Sequence, residues 1–158
     1  MEEHNIIQKK LMNIFNGHTP RCIPLQRRGQ TFEARVCDDR SGFIVSNLGA
    51  PIDRRTNSNY LPLEAFYVVV DLLLDKGGEA RKGDVFNNRL GDNYLPLDSV
   101  EGIIAHKVYG RNIGDAVFRR ISPVNGILLA SEICQGARGG YIMLSEPFRK
   151  SLHDDDKI

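Results

Sequence analysis

The chain has 158 residues, 41% of them hydrophobic, and its 21 basic and 20 acidic side chains leave a formal net charge of +1. This length fits one domain, or one domain with a smaller partner, and it can bury a core without disulfides or metals. The most apolar stretch, 66–74, contains Asp71 and is far too short to span a bilayer, and the acidic N-terminus lacks the apolar core of a signal peptide. We therefore expect a cytoplasmic protein with no membrane partner.

The cysteine and histidine residues do not predict a metal site or a disulfide framework. Cys22, Cys37 and Cys134 are odd in number and far apart, and the four histidines are scattered. Zinc ligands usually occur as closely spaced pairs, and disulfide scaffolds usually carry an even set of cysteines. The sequence also lacks a phosphate-binding Gly-Lys-Ser/Thr loop and a G-x-G-x-x-G fingerprint. We expect reduced thiols, no metal and no cofactor.

The N-terminal segment, 1–58, predicts a helix followed by a β-hairpin. Apolar residues recur at a helical spacing in 3–16. Residues 32–36 alternate apolar and polar side chains, and 43–48 are rich in β-branched and aromatic residues, with turn-forming residues between them. The composition of 49–59 is that of a linker, so we place a domain boundary there.

A short motif occurs twice, as NYLPLE in 59–64 and as NYLPLD in 93–98, and each copy precedes a helical pattern. A proline near the first helical position and an acid in the first turn both favour a helix start. We predict a first helix over about 62–75, apolar almost all round and therefore buried, and another over about 99–109. Between them, 80–90 predicts a short helix.

The C-terminal part predicts a helix, a glycine-rich basic loop and a strand. Ser122 and Pro123 fit the N-cap and first position of the helix. The loop covers 135–140 and the strand 141–144. The acidic residues 149–158 predict a flexible tail.

Two stretches, LLLDKGGEARKGDV in 72–85 and VFRRISPVNGILLASEICQGARGGYIML in 117–144, resemble parts of a winged helix. The second is similar to the final helix and wing of the amino-terminal domain of Mrr-type restriction endonucleases. The resemblance covers about 60–145 and departs from that family by a longer helical stretch between Leu90 and Ala116. No nuclease segment follows in this sequence, so we expect DNA binding without cleavage.

The resemblance implies an α+β fold, in which an N-terminal helix and β-hairpin (1–58) precede a winged-helix-like domain, a helix-turn-helix unit plus a wing (59–148). It implies that the partner is double-stranded DNA. Because winged helices often bind paired half-sites, a homodimer is also expected.

DNA binding requires cations near the phosphates and polar side chains near the base edges. Between 105 and 140 five basic residues stand against two acids, a local charge of +3. We expect Asn125 on the outward face of the last helix, and the free backbone N–H groups near Ser122 could hold a phosphate. The predicted DNA-binding residues are Lys107, Arg111, Arg119, Arg120, Ser122, Asn125 and Arg138.

Two alternatives stay open. The same fold could serve as a protein–protein adaptor, since the outer side of the last helix carries no Arg or Lys. It could also be a component of a DNA-processing enzyme, although the nearest match to the acid-x-Lys tripeptide of restriction nucleases, in 79–82, is one residue too long. The N-terminal arginines Arg27, Arg28, Arg35 and Arg40 could form a second basic surface, pack on the winged unit or make the dimer.

Overall fold

A computed structural model describes residues 2–15, 17, 19–24, 30–46 and 60–155. In chain order its elements are α1 (Glu2–Asn13), β1 (Arg21–Pro24), β2 (Thr31–Val36), β3 (Gly42–Ser46), β4 (Tyr60–Pro62), α2 (Leu63–Asp75), β5 (Glu79–Arg81), α3 (Val100–Ile103) with a π-helical continuation (Ile104–Val108), α4 (Ile121–Ala130), β6 (Cys134–Gln135), β7 (Tyr141–Leu144) and α5 (Glu146–Asp155). The fold is α+β, as expected.

The first sheet is antiparallel, with the strand order β1-β2-β3-β4. The predicted hairpin is present as β2 and β3, with Val36 opposite Phe43, and burial alternates along β2 as a half-buried strand requires. β4 pairs with β3 through Phe43 and Leu61, so the Tyr-Leu-Pro of the first NYLPLE copy forms a strand. The predicted helix start follows it directly, with Pro62 at the N-cap of α2 and Glu64 in the first turn. This sheet therefore extends past residue 58, while the predicted linker at 49–59 lies outside the described residues.

The second unit contains α2, α3, α4 and a three-stranded antiparallel sheet with the order β5-β7-β6. The predicted loop and strand near the C-terminus are present as the connection from β6 to β7, with Cys134 opposite Leu144. The predicted short helix over 80–90 is wrong, because the chain there forms β5 and then turns. Asp84 accepts a hydrogen bond from the backbone N–H of Phe86, a local side-chain bond that competes with helix formation.

Most of the segment that was predicted to be a tail, 149–158, lies in a helix. Residues 146–155 form α5, and Phe148 in its first turn is fully buried. The Ser145 hydroxyl accepts a hydrogen bond from the backbone N–H of Phe148 at 3.2 Å, which caps the helix start. Residues 156–158 lie outside the described part of the chain.

One hydrophobic core joins the two units. Phe43 of the first sheet stacks on Phe15 and meets the edge of Phe66 in α2, with ring centroids 5.0 and 5.3 Å apart. Helix α4 lies against the same sheet, because a Cβ added at Gly126 would come within 2.7 Å of the Phe32 ring and 3.5 Å of Ile23. Among the described helices, none has the length and apolar character needed to cross a membrane.

Candidate functional site

A cavity of about 290 Å³ opens between three loops of the second unit. Its walls come from β5 and the residues after it (81–86), from the turn at 93–96 and from the residues that lead into α4. Three basic residues line it: Arg81, Lys82 and Arg119. We call this space the basic cavity.

Two aromatic side chains at the basic cavity are unusually exposed. Phe86 is 62% exposed and Tyr94 is 73% exposed, although both are large and apolar in most of their surface. The guanidinium of Arg119 lies 5.6 Å from the centre of the Phe86 ring, a cation–π distance. Exposed apolar surface beside charged groups is typical of a binding site.

Glu101 lines the basic cavity and is only 1% exposed. Its two carboxylate oxygens accept hydrogen bonds from the backbone N–H of Arg120 at 2.9 and 3.1 Å. Burial raises the pKa of Glu101 to about 7, while that hydrogen bond and the charges of Arg120 and Arg119 lower it. Since no side chain at the N-cap position caps α4, this carboxylate from α3 caps the helix and fixes the backbone beside Arg119.

The basic residues of the cavity influence each other. Burial lowers the pKa of Lys82, and the positive charge of Arg119 lowers it further. Two like charges that raise each other's energy would both gain from an anion placed between them. Asp84 and the buried Glu101 also line the cavity, and its three basic residues leave an excess of positive charge that suits a negatively charged group.

Backbone hydrogen bonds connect the loops around the cavity. The N–H of Lys82 donates to the carbonyl of Gly140, and the N–H of Glu101 donates to the carbonyl of Lys82, each at 2.8 Å. Gly83 has φ +86°, and a Cβ there would lie 2.7 Å from the Ser99 hydroxyl oxygen. That hydroxyl caps α3 by accepting from Gly102 N–H, so the glycine is needed both for its conformation and for its small size.

A second cavity, of about 280 Å³, adjoins the first and shares Arg81 and Pro96 with it. Tyr141 from β7 lines this second cavity. Its ionic groups are partly paired, since Lys76 forms an ion pair with Asp98. The two cavities together make a continuous lining along β5.

Of the seven predicted DNA-binding residues, Arg119 alone lines the basic cavity. Lys107 is exposed at the end of the π-helical segment. Arg111 is half-buried, with its guanidinium 6.0 Å from the centre of the Phe118 ring. Arg138 forms an ion pair with Glu79 at 3.1 Å, so a carboxylate already neutralises it.

Three of the expectations for the last helix are wrong. Asn125 is 3% exposed and faces the core, because the first sheet covers the side of α4 that was expected to face DNA. Ser122 is the second residue of the helix and not its N-cap, which is Arg120. Arg120 is 6% exposed and its guanidinium lies 3.8 Å from the centre of the Tyr109 ring, so its role is structural.

Sequence reasoning missed the other residues of the basic cavity. Arg81, Lys82 and Phe86 lie in the stretch that was predicted to be a helix, and Tyr94 lies in the second NYLPL copy, predicted to be a helix start. A usable signal was present in that second copy: a tyrosine among turn residues is a candidate exposed aromatic.

Within the described ranges, no group of three His, Cys, Asp or Glu side chains could hold a metal ion. Cys37 and Cys134 are buried and Cys22 is exposed, and all three are free thiols. Comparisons with protein-family models, with curated proteins and with solved structures found no match to this chain.

Proposed function

We propose that this chain is a non-catalytic DNA-binding protein whose second unit is a winged-helix domain. The order of its elements supports this proposal: a helix, a strand, two helices and a two-stranded hairpin, with the first strand paired to the last. The loop between β6 and β7 corresponds to the wing in such a domain. The proposal includes the cytoplasmic location expected from the sequence.

The observation that carries the proposal is the basic cavity. Arg81, Lys82 and Arg119 come from two separate stretches of the chain and line the same space. Phosphate contacts by Arg and Lys supply most of the affinity of DNA-binding proteins, because each contact releases condensed counterions. Three cationic side chains around one opening could make several of these phosphate contacts together.

The mode of binding differs from that of a helix placed in the major groove. Helix α4 occupies the position of a reading helix in a helix-turn-helix unit, yet its middle is buried against the first sheet at Gly126. We therefore place the DNA against the loops around the basic cavity, with Arg119 just ahead of α4 as the central contact.

Salt-dependent fluorescence anisotropy with a labelled duplex tests this proposal. For the wild type, log K should fall steeply with log salt concentration, and Arg119→Ala should reduce that slope by about 0.9, the value for one lost phosphate contact on duplex DNA. Lys9→Ala is the matched control, because Lys9 is an exposed cation on α1, which lines neither cavity. Absence of duplex binding at low salt, or equal slopes for the two variants, would refute the proposal.

The adaptor alternative is favoured by one further observation. Ile113 is 70% exposed and Phe118 is 41% exposed, and neither lines a cavity described above. Apolar side chains of this size at a surface can mark an interface with another protein, a second copy of this chain included. Sedimentation equilibrium of the wild type and of Ile113→Ser tests the dimer form of this alternative, which requires the variant to dissociate at a concentration where the wild type does not.

A further inference from the structure

We propose that the basic cavity holds one unpaired nucleotide of a DNA strand, with its base stacked on Tyr94 or Phe86 and its phosphate against Arg81, Lys82 and Arg119. This inference rests on the proposed function and specifies which form of DNA the site recognises. An intact duplex keeps its bases stacked inside the helix and offers only phosphates and groove edges. An unpaired nucleotide offers a base face as well.

The size of the cavity fits one nucleotide. Its volume of about 290 Å³ is just below the range of roughly 300–1,000 Å³ for small-molecule sites, so it has room for a small ligand and not for a duplex. Apolar side chains of Val85, Pro96 and Ile121 lie among the charged ones in its lining. A pocket with both kinds of wall suits a ligand with a flat apolar face and an anionic group.

The exposed aromatic side chains point to base stacking. Phe86 and Tyr94 are both at the cavity, and both leave more than half of their surface to solvent. Phosphate binding alone would not require exposed aromatic side chains at the cavity. Proteins that bind single strands combine a cationic groove with aromatic rings on which successive bases stack.

The second cavity gives a path for the next nucleotide. It shares Arg81 with the basic cavity and is lined by Tyr141, whose ring lies 3.9 Å below the guanidinium of Arg138. The charges that line the second cavity are balanced, with Lys76 and Arg81 against Glu79 and Asp98, so this cavity offers the next nucleotide an aromatic ring and not a second cationic cluster. We infer that the strand runs from one cavity to the other over Arg81, so that adjacent bases meet Tyr94 and Tyr141.

Competition between DNA forms tests this inference. Three labelled oligonucleotides of one sequence are used: a single strand, its duplex, and the duplex with one unpaired base. The single strand and the duplex with an unpaired base should bind more tightly than the intact duplex, by about 5- to 150-fold for each stacked base. A mononucleotide serves as competitor to separate a free nucleotide from one within a strand.

The variant Phe86→Ala with Tyr94→Ala should lose that preference and bind all three forms as the wild type binds the intact duplex. Lys9→Ala, which changes an exposed residue of α1 outside both cavities, should keep the preference. Melting temperatures should match in all three proteins, since the replaced side chains are exposed. The inference is supported if the double variant loses the preference for unpaired DNA and the control variant keeps it.

Other outcomes overturn it in distinguishable ways. If the intact duplex binds as tightly as the single strand, and the double variant behaves like the wild type, the stacking site is wrong while DNA binding stands. If the mononucleotide competes as well as the strand does, the site takes a free nucleotide. If no DNA form binds at any salt concentration, the proposed function itself fails.

Discussion

Replacing Glu101 by glutamine tests whether a buried, titrating carboxylate holds the start of α4. Burial raises the pKa of this group from 4.5 to about 7 in the folded protein, more than the hydrogen bond from Arg120 lowers it. Between those two values the folded protein binds more protons than the unfolded chain. The free energy of unfolding therefore falls as the pH rises through this window and levels off above the folded pKa.

The size of the effect follows from the same two values. At about pH 5.5 the unfolded carboxyl is already ionised while the folded one is protonated, and by about pH 8 both are ionised. About 1.5 pH units separate pH 5.5 from the folded pKa of about 7, and each unit corresponds to about 1.4 kcal/mol. Glu101 should thus lower the free energy of unfolding by about 2 kcal/mol between the two conditions.

Urea denaturation of the wild type and of Glu101→Gln at both pH values measures this effect. Glutamine keeps a carbonyl oxygen that can accept from the N–H of Arg120 but carries no titrating proton. On going to the higher pH, the free energy of unfolding of the wild type should fall by about 2 kcal/mol more than that of the variant. Both proteins contain the same histidines, so the contribution of these residues cancels in the comparison. Identical pH dependence in the two proteins would show that the carboxylate does not titrate in this window and would refute the reasoning.

Two further pairs of substitutions separate packing from binding. Gly126→Val should lower the free energy of unfolding by about 1–3 kcal/mol, because its Cβ would lie 2.7 Å from the buried Phe32 ring. Gly136→Ala is the control: a Cβ there has no atom within 4 Å, so the urea midpoint should stay unchanged. Arg120→Ala should lower the free energy of unfolding by about 1–2 kcal/mol, because it removes a buried cation–π contact. Arg119→Ala, at an exposed position, should not change the free energy of unfolding. Circular dichroism melts check both, and equal melting of the two arginine variants would contradict their separate roles.

The parts of the fold that the sequence predicted are those set by local patterns. Strands β2 and β3 follow from alternation and a turn between them, and α2 follows from an apolar run bounded by Pro62 and the glycine pair at 77–78. Strands β1 and β4 are short and gain their stability from pairing with neighbours, so their own residues carry little signal. Helix α5 was not predicted, because the segment was read from its acidic residues, and the burial of Phe148 in its first turn is visible only in the three-dimensional structure.

The candidate site was predictable only in part, for a similar reason. Arg119 was predicted from its place ahead of a helix, which is a local feature. Helix α4 is covered at Gly126 by Phe32 and Ile23, which are about a hundred residues earlier in the chain. No pattern within the helix could show that this side was already covered. Arg81 and Lys82 were missed because β5, which ends at Arg81, pairs with the distant β7, and the N–H of Lys82 donates to the equally distant carbonyl of Gly140.

The packing of α4 on the first sheet also bears on how the protein is made. Because the chain is synthesised from its N-terminal end, Ile23 and Phe32 leave the ribosome long before Gly126 does. During that interval the apolar face of the sheet lacks the helix that covers part of it, and exposed apolar faces promote aggregation. Growth temperature and chaperone supply should therefore affect the recovered yield strongly, and Gly126 is the position where a bulky side chain would prolong this vulnerable stage.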